Sequence, residues 1–141
     1  MILGIQNIRN WASLITLSNL DSKPHELIFT CMARAKMCEL FASKLESKDA
    51  SSFFTVGLFS SLDALMDRPL NELLSPLPLS DEINQALLER KGMMGDVLNC
   101  AIAYEKGDWD NVKMDLPSAD IQNIYLDALG WAKEIFNQLE D

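Results

Sequence analysis

Leu27, Cys31, Ala35, Cys38 and Ala42 follow one another in steps of three and four residues, a spacing that lines one side of an α-helix and cannot line one face of a strand. Lys36, Lys44, Glu46 and Lys48 fall between them and belong to solvent, so the segment 24–48 predicts an amphipathic helix. The same period runs through residues 4–20, where Ile5, Ile8, Ala12 and Ile15 are joined by Trp11 and Leu14. It returns near the C-terminus in Ile121, Ile124, Leu126, Leu129, Ala132 and Phe136. No stretch alternates with the period of a strand, so the fold class is all-α.

The punctuation between these stripes divides the chain into six or seven helices. Pro24 suits a first helical turn, where its missing N–H has no partner to lose. Asp49, Ser51 and Ser52 offer capping oxygens before a third helix over 53–66, which is apolar nearly all round and reads as the central buried one. A short helix over 69–74 precedes Ser75-Pro76-Leu77-Pro78, whose prolines force an extended connector. Ser80-Asp81-Glu82 starts the next helix, a further one spans 93–106, and Gly107 can stop it in the left-handed conformation. An acidic loop over 108–117 leads to a last helix capped by Ser118. With 141 residues and no linker or repeat, residues 1–141 are expected to form a single compact bundle.

Charge narrows the partners. Twelve Lys and Arg against 21 Asp and Glu leave a net charge of -9, a field that repels nucleic acid and anionic membrane surfaces. No apolar run approaches the roughly 20 residues of a spanning helix, and Met1-Ile2-Leu3-Gly4 lacks the basic start of a signal peptide. The expected compartment is the cytoplasm. Three cysteines suit it, because Cys31 and Cys38 stand about 10 Å apart along one helix, beyond the reach of a disulfide. Cys100, set among Val97, Leu98, Ala101 and Ile102, reads as a buried thiol.

A family resemblance lies in the helix pair. Leu27-Ile28-Phe29-Thr30-Cys31-Met32-Ala33-Arg34-Ala35-Lys36-Met37-Cys38-Glu39-Leu40-Phe41-Ala42 and Gly57-Leu58-Phe59-Ser60-Ser61-Leu62-Asp63-Ala64-Leu65 resemble HDOD domains, the HD-related output domains of bacteria. The form they resemble follows an EAL cyclic di-GMP phosphodiesterase domain. Ile2-Leu3-Gly4 with Arg9-Asn10-Trp11, Leu77-Pro78-Leu79 with Ala86-Leu87-Leu88, and Tyr104-Glu105-Lys106-Gly107-Asp108-Trp109 extend the resemblance over most of the chain, up to the final helix. It implies an HD-like helical bundle and a signal-transduction role through protein–protein contact. The partner it implies is a protein or regulatory domain, an EAL domain among them, or a second copy in a homodimer. Family members are longer, so the resemblance implies the C-terminal, HD-like portion of a module, with Ile2, Ile5, Ile8 and Trp11 left as an interaction surface.

Hydrolytic relatives in the wider HD superfamily carry a His-Asp pair where this sequence has Ser60-Ser61, and an earlier metal histidine near Thr30. Serine and threonine hydroxyls cannot replace imidazole and carboxylate around a hydroxide-generating cation. No catalytic residue, metal or cofactor is therefore expected, and the chain is read as a non-catalytic output or scaffold domain. The rival is a degenerate HD-type phosphohydrolase acting on a nucleotide through carboxylates. A single histidine, His25, already argues against a site of several imidazoles, and reads as a surface residue beside Pro24. Ser60, Ser61 and Asp63 lack both a neighbouring histidine and a Gly-x-Ser-x-Gly elbow. Asp108, Asp110 and Asp115 suggest a calcium loop only until position six of the run, Lys113, is found where glycine is needed. Trp11, Trp109 and Trp131 are expected to fill core or interface space. Met32, Met37, Met66, Met93, Met94 and Met114 are divided between core packing and an adaptable partner surface.

Overall fold

The computed structural model describes residues 25–47, 49–61, 63, 69–76, 79–114 and 116–140, and among them there is no strand. Helix α1 is His25–Lys44, α2 Ala50–Phe59, α3 Leu70–Leu74, α4 Asp81–Glu89, α5 Gly92–Lys106 and α6 Ser118–Glu140, with a 3-10 turn at Trp109–Asn111 between the last two. Ile2, Ile5, Ile8 and Trp11, Met66 and the helix expected over 4–20 lie outside the described residues. None of the described helices is long and apolar enough to cross a membrane.

Helix ends follow from local chemistry. Helix α1 stops before residue 48 because Glu46 adopts φ 60°. The Ser47 N–H then donates to the Ala42 carbonyl at 2.9 Å and the Glu46 N–H to Ser43 at 3.2 Å, the Schellman pattern without its usual glycine. Helix α5 ends by the same device with glycine in place: Gly107 sits at φ 70°, and Asp108 and Gly107 donate to Ala103 and Tyr104. Ser80 caps α4 as expected, its Oγ accepting the Ile83 N–H at 3.3 Å. Helix α2 begins at Ala50, three residues before the expected start. The Ser52 and Phe53 N–H groups donate to the Asp49 carbonyl, while the Asp49 carboxylate accepts the Ser52 hydroxyl at 2.8 Å. Ser118 is the first residue of α6, and the Pro117 carbonyl accepts from Asp120 and Ile121.

All residues from Phe53 to Phe59 are buried, so α2 is as interior as its composition suggests. Helix α1, however, is the hub. It packs against α2, α5 and α6, and its buried set extends from the expected Cys31, Ala35, Cys38 and Ala42 to Met32, Ala33, Met37 and Phe41. Helix α4 pairs with α5 and leans on α2, adding Ile83, Ala86 and Leu87 to the core, while α6 adds Ile121, Ile124, Ala128 and Ala132; Leu126, expected on that stripe, is exposed.

Helices α1 and α2 cross with their backbones touching. A Cβ on Gly57 would stand 2.7 Å from the Ala35 Cα and 2.8 Å from the Arg34 carbonyl oxygen. Only glycine permits that approach. The crossing sets Arg34, next to Ala35 on α1, against the turn that follows α2.

Candidate functional site

Arg34 points into that junction, where its guanidinium joins three parts of the chain. Nη1 donates to Ser61 Oγ at 2.8 Å and to Ser60 Oγ at 3.1 Å, while Nη2 and Nε reach the Glu105 carboxylate of α5 at 2.9 and 3.2 Å. Both charged side chains are only 14% exposed. A guanidinium has five N–H donors in a fixed fork, and these contacts engage four of them. The Ser60 hydroxyl in turn donates a hydrogen bond to the Gly57 carbonyl at 2.7 Å, which closes the network onto the helix crossing.

The groups around this cluster are neutral or already paired. Cys31, one turn earlier on α1, donates its thiol to the Leu58 carbonyl at 3.1 Å. Burial pushes that thiol up to about 12, against the lowering pull of Arg34, so it stays protonated at neutral pH. Cys38 is raised to about 12 as well, by burial before any charge. Arg90, in the left-handed turn between α4 and α5 at φ 56°, donates to Asn99 Oδ1 at 3.0 Å. Burial lowers its guanidinium first, and the like charge of Arg34 adds to the effect.

Ser60 and Ser61 therefore come together, with Ser61 buried, and both accept from one permanent cation. Thr30 lies half-buried one turn before Arg34 on α1 and takes no part in the guanidinium's hydrogen bonds. Among the described residues, no three His, Cys, Asp or Glu side chains gather into a metal-binding group. The backbone of His25 opens α1, and its side chain lies outside the described set. Arg34 and Glu105 escaped the sequence reading, although a charge on the same helical side as Cys31 and Cys38 signals that a buried partner must exist.

The remaining candidates separate. Trp131 packs edge-on against Phe54 at 5.8 Å with the Lys36 ammonium 5.2 Å over its ring, as a core-flanking tryptophan should. Trp109 does not fill the core: the residue is 62% exposed and its ring meets Tyr104 edge-on at 5.1 Å. Met32, Met37 and Met94 are buried, Met114 is half-buried and Met93 is exposed. Asp108, at the start of the acidic loop, is engaged locally by the Asn111 amide at 2.7 Å.

No family model and no solved structure matches the chain. Two curated proteins do. Over 144 residues and 97% of its length, the chain is 31% identical to the uncharacterized protein YuxH of Bacillus subtilis (strain 168), of which the match covers 35%. Over 140 residues and 94% of its length, it is 34% identical to the cyclic di-GMP phosphodiesterase CdgJ of Vibrio cholerae serotype O1, of which the match covers 32%. The chain thus spans about a third of the length of each relative and is similar along nearly its whole extent to that third.

Proposed function

We propose that this chain is a non-catalytic output or scaffold domain of the HDOD type, linked to cyclic di-GMP signalling and acting through contact with another protein domain. The observation that carries the reading is the Arg34 guanidinium held on Ser60 and Ser61 and paired with Glu105. At the junction where the resemblance sets metal ligands in hydrolytic relatives, this chain keeps a fixed positive charge. A second cation there would meet the guanidinium at close range, and the cluster's carboxylate, Glu105, is already taken by Arg34, which leaves neutral hydroxyls as the other acceptors. The link to cyclic di-GMP rests on the printed name of the Vibrio relative, two-thirds of which lies outside the match and has room for the phosphodiesterase chemistry. An EAL domain is the partner we favour, on the family resemblance.

The test is hydrolysis by the purified chain. Incubated with cyclic di-GMP or bis-p-nitrophenyl phosphate and manganese or magnesium, it is expected to release no product. Chelator-sensitive turnover, lost in a Glu105→Gln variant that still folds, would establish the rival metal-dependent phosphohydrolase acting through carboxylates, for which the name of the Vibrio relative speaks. Sedimentation of the chain alone and with an EAL domain then separates homodimer from heteromeric partner. A monomer that binds neither would sink the scaffold reading.

A further inference from the structure

We draw no further inference here: the strongest candidate, the exposed Trp109 beside Tyr104, which in turn meets Tyr125 where the 3-10 turn joins α5 and α6, is an aromatic face whose neighbouring charges, Asp108 and Asp110 against Lys106 and Lys113, cancel, so that nothing in the structure shows what covers it.

Discussion

Tyr104 and Glu105 are consecutive residues on α5, yet they serve two regions built on opposite terms. Glu105 turns toward the junction of α1 and α2, where helix backbones touch and the fork of Arg34 is shared out among named acceptors. Tyr104 turns toward the edge formed by the 3-10 turn and α6, with its ring between Trp109 at 5.1 Å and Tyr125 at 4.9 Å. In the first region a buried charge is tolerable only because every neighbour fits it. In the second, aromatic rings meet near the surface, and a change of rotamer leaves no charge stranded. The contrast teaches that the polar cluster is a structural constraint on the bundle, while the aromatic edge is an addition to it.

The largest effect should come from Gly57→Ala. A helical alanine gains about 1 kcal/mol over glycine, but the added methyl meets backbone atoms at 2.7 and 2.8 Å that no rotamer change can move. Overpacking usually costs about 1–3 kcal/mol and occasionally more; because backbone must move here, a cost of about 4 kcal/mol is expected, which after the helical gain leaves a net loss of about 3 kcal/mol in urea unfolding. Gly130→Ala on α6 is the control: nothing lies within 4 Å of its added carbon, and it should stabilise by up to about 1 kcal/mol. Equal effects at the two glycines would show that the helix crossing is not a tight one.

Arg34→Leu comes next. It strands the Glu105 carboxylate at 14% exposure and removes the donor that Ser60 and Ser61 share. Breaking a buried pair costs about 3–5 kcal/mol, and residual solvent contact brings this one somewhat below that range, to about 2–3 kcal/mol. The double variant Arg34→Leu, Glu105→Leu should recover part of that loss, because no lone charge remains. Additive losses would mean that the two residues contribute independently and the comparison fails.

How far the sequence showed all this depends on the range of the interaction. Ser80 and Gly107 act on residues three to five positions away, and both were legible from residue type and spacing. The end of α1 was not, because Glu46 is no usual left-handed residue and only the tertiary setting selects φ 60° there. Arg34 and Glu105 are 71 positions apart, and no local pattern pairs them. The resemblance drew attention to Ser60 and Ser61 as places where ligands are lost. It could not show that an arginine from α1 takes up the two hydroxyls.

Thiols sharpen the comparison more gently. All three thiols are buried, but Cys31 and Cys38 lie in the dense junction, raised from the usual 9.0 to about 12, whereas Cys100 lies in the wall of an open cavity of about 480 Å3 beside α5 and is raised to about 11. In each case the folded pKa exceeds the unfolded one. The neutral thiol's contribution to stability is therefore complete below pH 9 and declines as pH climbs from 9 toward the folded values, because only the unfolded chain ionises in that window. Urea midpoints measured from pH 8 to 10.5 should fall, and fall less in a Cys31→Ser, Cys38→Ser variant that remains folded. At pH 8, a thiol reagent should modify Cys100 before the other two. Simultaneous modification of all three would indicate global opening and erase the difference between the regions.

Trp109→Ala should be the mildest change. An edge-to-face aromatic pair contributes about 0.5–1.5 kcal/mol beyond the area it buries, and a residue that is 62% exposed realises only the lower part of that range. Thermal unfolding is expected to report a loss below about 1 kcal/mol. Trp131→Ala, which removes the edge contact with Phe54 and the ring under Lys36, should cost roughly twice as much or more. If Trp109 proves as costly as Trp131, then the aromatic edge is part of the folding core despite its exposure. If it is cheap, the aromatic edge is an addition to a bundle that the polar junction and the buried core already hold.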